Sequence, residues 1–152
     1  MRVLLVCLGN ICRSPTAEGV LRAKLQAAGL GDQVEVASAG TGSWHVGEAP
    51  DPRSQRHAAR RGYDLSTLRA KCVSEDDFHR FDLILAMDDD NLADLQRLAP
   101  NVPHRAELRL FASSAVRDPY ASGPAGFEQV LDVVETSSDA WVKDLAARLG
   151  TS

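Results

Sequence analysis

The chain has 152 residues, 44% of them hydrophobic and 25% charged, with a formal net charge of −4. That length and balance suit a single globular domain over residues 1–152. They exclude the basic footprint of a nucleic-acid binder, and no apolar run approaches the ~20 residues that cross a bilayer.

The first predicted element is a buried parallel strand, Val3–Val6. The short apolar start lacks a small-residue cleavage pattern, so it reads as this strand rather than a leader, and the protein is expected in the cytoplasm. A loop follows, then a helix opened by Pro15 with Glu18 in its first turn, stopped by Gly29 and Gly31. Val34–Ala37 predicts a second strand, ending in Ser38-Ala39-Gly40. After a flexible stretch from Thr41 to Gly47, Pro50-Asp51-Pro52 opens a helix that runs to Arg61. Ser74–His79 is a short helix, Phe81–Met87 a third strand and Asn91–Leu98 a further helix. Glu107–Phe111 is a short strand, Val116–Gly126 a loop, and Phe127–Leu149 a long helix anchored by Trp141. Strands alternating with helices predict an α/β three-layer sandwich: a central, mostly parallel four-stranded sheet with helices on both faces. Ligands bind beyond the carboxyl ends of such strands, where Cys7, Ser38 and Met87-Asp88 should converge.

The loop Cys7-Leu8-Gly9-Asn10-Ile11-Cys12-Arg13-Ser14-Pro15 joins strand to helix. Amides at a helix start carry partial positive charge, and a curled loop ahead of it aims more of them at one point. Gly9 and Asn10 tolerate the left-handed angles this curl needs. The product is a cradle for a tetrahedral oxyanion with Cys7 at its base, and a thiolate there is a nucleophile. Arg13 supplies a bidentate grip on phosphate oxygens. Ser14 supplies a hydroxyl hydrogen bond to the sulfur. A cysteine ending a strand is as often inert core, but Gly9, Asn10, Ser14 and Pro15 together fit one geometry. Expulsion of a poor leaving group needs an acid, and the candidate is Asp118 in Arg117-Asp118-Pro119-Tyr120, a segment stiffened by Pro119. Alone, it reads equally as an Asp-Pro turn.

On these residues the chain resembles the low molecular weight protein tyrosine phosphatases, over essentially its whole length. Val6 through Pro15 resembles the family's phosphate-binding signature, and Asp118-Pro119-Tyr120 its general-acid motif. Ser38-Ala39-Gly40 through Gly47 is similar to bacterial members. The resemblance implies hydrolysis of phosphotyrosine through a phosphocysteine on Cys7. Arg13 binds phosphate, and Asp118 serves as acid and then as base. The phosphate-binding loop comprises Leu8, Gly9, Asn10, Ile11, Cys12, Arg13 and Ser14. Asn10 props the loop toward Ser38, Asp88 supports it from the third strand, and Leu8, Trp44 and Tyr120 line the substrate slot. Cys12 captures oxidised Cys7 as a disulfide. The implied protein is a monomer without metal or cofactor, acting on phosphotyrosine proteins and inhibited by phosphate and related oxyanions. Three departures stand out: Ala121 where many members carry a second Tyr, a short Leu110–Asp118 segment, and Thr67 where some carry His.

The remaining features read plainly. His45, His57, His79 and His104 show no ligand spacing and read as surface or loop residues, and Cys72 as a packed or idle thiol. Asp88-Asp89-Asp90 reads as a helix N-terminal cluster with Asp88 or Asp89 as cap. Three rivals compete with phosphatase action. A thiol-coupled arsenate reductase needs a relay of cysteines, and none follows Cys72. A non-catalytic oxyanion reader does not need Asp118. A phosphocysteine carrier of a sugar phosphotransferase system needs neither Arg13 nor Asp118.

Overall fold

The computed structural model describes residues 1–119 and 123–150. Its elements run β1 Arg2–Cys7, α1 Arg13–Ala27, β2 Glu35–Gly40, α2 Pro52–Arg60, α3 Glu75–Arg80, β3 Leu83–Ala86, α4 Asp89–Leu98, β4 Glu107–Leu110 and α5 Pro124–Arg148. The sheet has the order β2-β1-β3-β4, and every pairing is parallel. The expected three-layer α/β sandwich is thus the observed one.

Alternation along β1 explains the two layers. Val3, Leu5 and Cys7 face one side, joining α1, α2 and α5 in a core with Leu21, Ala58, Leu131 and Leu145. Leu4 and Val6 face the other side and pack on Phe78 and Phe81 near α3 and on Leu95 of α4. Both faces are covered, so β1 and β3 are uninterrupted aliphatic runs. Trp141 anchors α5 as expected, its Nε1 donating to the Phe111 carbonyl at 2.6 Å.

Helix starts follow capping chemistry. Asp88 caps α4 by accepting from the Asn91 amide at 2.7 Å. Ser74 and Asp77 form a reciprocal capping box on α3. Pro124 occupies the first turn of α5. One start differs from expectation: α1 begins at Arg13, so Glu18 lies beyond the first turn, which holds no acidic residue. Glu18 is instead buried, paired with Arg22.

His57 is a second correction. It is buried, on the inner side of α2, with Nδ1 on Glu128 of α5 and its ring stacked on Phe127 at 5.5 Å. Arg61 extends this contact to Glu128, Asp132 and Glu135, tying α2 to α5. The His79 side of α3 is exposed, and His104 packs edge-on to Phe78. Cys72 is exposed, so it is not a packed thiol. Among the described residues no helix is long and apolar enough to cross a membrane.

Candidate active site

Parallel pairing places the carboxyl ends of β1, β2 and β3 on one edge of the sheet. Cys7 pairs with Gly40, and Val6 with Ala39 and Ala86. The chain therefore leaves all three strands into the same region, as the topology requires.

The loop after β1 is sewn to its surroundings by main-chain bonds. Thr41 and Gly42 donate to the carbonyls of Cys7 and Leu8 at 3.0 and 2.9 Å. Asp51, at the head of α2, donates its amide to the Ile11 carbonyl at 2.8 Å. Gly40 is required by this closeness: a Cβ there would lie 2.6 Å from the Leu8 carbonyl oxygen. The left-handed step in the loop is taken by Asn10, at φ 57°, and not by Gly9 as well. Asparagine bears that conformation better than other side-chain-bearing residues.

Asn10 is also the hub of a directed hydrogen-bond chain. Its Oδ1 accepts from the Lys71 amide at 2.9 Å, which fixes the orientation of the side-chain amide. Its Nδ2 donates to Ser14 Oγ at 2.8 Å and to Ser38 Oγ at 3.0 Å. Ser38 in turn donates to Glu18 Oε1 at 2.6 Å. Because Ser14 accepts from Asn10, its own hydroxyl proton is available to the Cys7 sulfur, 3.0 Å away. The Asn10 amide points at the same sulfur at 3.3 Å.

Arg13 is buried, and its Nη1 donates to Asp88 Oδ2 at 2.6 Å and to the Val116 carbonyl at 3.1 Å. The Val116 amide donates to the Met87 carbonyl at 2.8 Å. The segment leading to Asp118 is thus docked on the end of β3 and on Arg13 at one residue. Asp118 itself is exposed and followed by buried Pro119. Tyr120 and Ala121 lie outside the described residues.

These groups enclose a pocket of about 250 Å³, lined by Cys7, Leu8, Gly9, Ile11, Cys12, Arg13, Trp44, His45 and Asp118. Cys7 is only 2% exposed, at the floor, whereas Trp44 is 70% exposed at the rim. His45, read from sequence as a loop residue, belongs to the pocket wall and pairs with Glu48 through Nδ1 at 2.8 Å. Cys12 is buried within the loop. Its burial, reinforced by Asp51 and Asp118 and opposed by a hydrogen bond with Ser54, pushes the thiol up to about 12.

Sequence reasoning missed Glu18, His45 and Gly40. Glu18 carried a readable signal only through Ser38, since a buried serine near a charged network needs an acceptor. The stretch Thr41–Gly47 reads from sequence as flexible, with no role for His45.

The arrangement suits nucleophilic displacement at a tetrahedral oxyanion: a sulfur held by hydrogen-bond donors, a guanidinium beside it and a carboxyl on the same pocket. Comparison with known proteins gives the family. The family profile described as low molecular weight phosphotyrosine protein phosphatase matches residues 2–150. A Streptomyces coelicolor low molecular weight protein-tyrosine-phosphatase is 46% identical over 146 residues, covering 90% of this chain and 88% of that one. The crystal structure of YfkJ from Bacillus subtilis superposes with a TM-score of 0.87 at 34% identity, covering 97% and 96% of the two chains. A protein tyrosine phosphatase from Entamoeba histolytica superposes with a TM-score of 0.88 at 33% identity, covering 100% and 99%. The profile match over nearly the whole chain, with a relative 46% identical and the same sheet architecture, places the chain in the low molecular weight phosphotyrosine protein phosphatase family, whose members are cysteine-dependent, metal-independent hydrolases.

Proposed function

We propose that the protein hydrolyses phosphotyrosine in protein substrates, and small aryl phosphates, through a phosphocysteine on Cys7. The observation that carries this reading is the Cys7–Ser14 contact of 3.0 Å at the floor of a pocket that Arg13 and Asp118 also line.

In the first step the Cys7 sulfur attacks phosphorus. An S–P bond forms, the bond from phosphorus to the tyrosine oxygen breaks, and Asp118 gives its proton to the departing phenoxide. Loop amides and the Nε/Nη2 edge of Arg13 hold the equatorial oxygens, on which a loose transition state spreads its charge. Nη1 is engaged with Asp88 and Val116, which orients the guanidinium for that task. In the second step Asp118 takes a proton from water, the water oxygen bonds to phosphorus, and the S–P bond breaks. The Ser14 hydroxyl stabilises the leaving sulfur in that step. Leu8, Trp44 and Tyr120 grip the phenyl ring. Asn10, Ser38, Glu18 and Asp88 are positioning residues. Cys12 is assigned the capture of a Cys7 sulfenic acid: its sulfur displaces hydroxide, which leaves as water, and a disulfide forms.

The test is hydrolysis of a phosphotyrosine peptide in the presence of a chelator, with vanadate as inhibitor and Cys7→Ser as control. Chelator-insensitive, vanadate-sensitive turnover that Cys7→Ser abolishes is expected. Turnover surviving in Cys7→Ser would overturn the assignment.

A further inference from the structure

Next to the pocket that holds Cys7 lies a second hollow of about 250 Å³, lined by Leu8, Thr41, Trp44, Asp94, Arg97 and Leu98. Leu8 and Trp44 line both hollows, so they form a shared wall between the two. The large apolar side chains left exposed among the described residues are Leu8, Trp44, Val46, Leu98 and Val102. Three of these five line the second hollow, a concentration that marks an interaction site rather than scattered surface.

Charge decides what fits. Arg97 is paired with Asp94 one turn earlier on α4, so the rim offers a compensated pair and no net charge. Apolar walls with a neutralised rim favour an aliphatic or aromatic side chain over a carboxylate or an ammonium. Continuity with the catalytic pocket decides where that side chain comes from. In an extended peptide, side chains two residues apart project from the same face, roughly 7 Å apart. A peptide whose phosphotyrosine fills the first pocket can present its second neighbour across the Leu8–Trp44 wall, over the second hollow.

The position of Trp44 makes the wall definite. A Cβ built on Gly42 would collide with the Trp44 indole, so the ring occupies the space a larger residue would take there. Trp44 is nonetheless largely exposed to solvent.

Resting on the phosphotyrosine reading above, we propose that the hollow between Trp44 and the last turn of α4 is a specificity subsite for an apolar side chain two residues from the phosphotyrosine. Leu98 and the Asp94–Arg97 pair set its preference.

The experiment uses the full chain and a set of phosphotyrosine peptides carrying Leu, Lys, Asp or Gly at each position from two residues before to two residues after the phosphotyrosine. Phenyl phosphate serves as a substrate too small to reach the hollow. Leu at one second-neighbour position should raise kcat/KM about tenfold over Asp, through KM. Leu98→Asp should erase that advantage and create a preference for Lys at the same position, with phenyl phosphate hydrolysis unchanged. Arg97→Ala, which leaves Asp94 uncompensated, should also introduce a Lys preference. Peptides hydrolysed with equal efficiency at all positions would overturn the subsite, as would a Leu preference unaltered in both variants. Absence of hydrolysis of every phosphotyrosine peptide would overturn the phosphotyrosine reading itself, a different and recognisable result.

Discussion

Arg13 and Asp88 lie 75 residues apart in sequence and meet through a 2.6 Å contact between Nη1 and Oδ2. The same aspartate caps α4 through its other oxygen, so one side chain fixes both a helix start and the guanidinium that lines the pocket with Cys7. The two roles separate by substitution. Asp88→Asn keeps a competent cap and discards the charge, and should cost less than about 1 kcal/mol of stability while weakening vanadate binding several-fold. Asp88→Ala loses both, and should cost about 2–3 kcal/mol. Urea unfolding and vanadate titration measure the two effects.

Asp118 shares the pocket with Cys7 and follows a segment docked at Val116. If it protonates the leaving oxygen, Asp118→Ala should lower turnover roughly 10²–10⁴-fold for phosphotyrosine. The loss should shrink steeply for aryl phosphates whose phenols are strong acids. A leaving-group series gives the answer: equal losses across it would remove Asp118 from the role of acid.

Gly40 faces the Leu8 carbonyl at a separation that leaves no space for a methyl group, since an added Cβ would sit 2.6 Å from backbone oxygen. Gly40→Ala must push the loop after β1 aside. A destabilisation of about 1–3 kcal/mol is expected, with activity falling further than stability explains. Comparison of thermal unfolding with kcat/KM on phenyl phosphate tests this.

Cys12 is held as a neutral thiol, with its ionisation pushed up to about 12. Below that pH the thiolate is scarce, so iodoacetamide at pH 7–8 should label exposed Cys72 and leave Cys12 almost untouched in the folded protein. Mass spectrometry of the labelled peptides reads the order. Unfolding in urea should abolish the protection.

Much of this was legible in the residues. The apolar runs at Val3–Val6 and Phe81–Met87 read as buried parallel strands, the second observed as Leu83–Ala86, and alternation with helices then put Cys7, Ser38 and Asp88 at one edge. The residues that escaped are those whose meaning lies in a partner far along the chain. Glu18 looks like a solvent-facing helix acid until β2 brings Ser38 against it. His57 sits on a helix whose polar residues mask its inward direction, and only the packing of α5 supplies Glu128 and Phe127. Cys72 lies beside Gly40 in a single bridge, too short a pairing to leave a pattern.

The α2–α5 contact makes stability depend on pH. Arg61 first, then His57, hold the Glu128 carboxyl below its ordinary value of 4.5. A carboxyl depressed in the folded state stabilises it fully above the unfolded value and loses that contribution as pH falls through the folded value. Glu128→Gln should therefore be less stable than the parent at pH 6, and the difference should narrow as pH falls from 4.5 through the lowered folded value. Urea midpoints from pH 6 down to pH 3 provide the measurement.

β1 lies between β2 and β3 and ends in Cys7, so the sulfur hangs from one of the two inner strands of the sheet. Such a strand is expected to open only with global unfolding. Heat should then destroy catalysis and structure in one event, and amide deuteration along Val3–Val6 should proceed at the pace of complete unfolding. Trp44 stands on the segment that follows β2, so the rim of the pocket and its floor are carried by different parts of the chain.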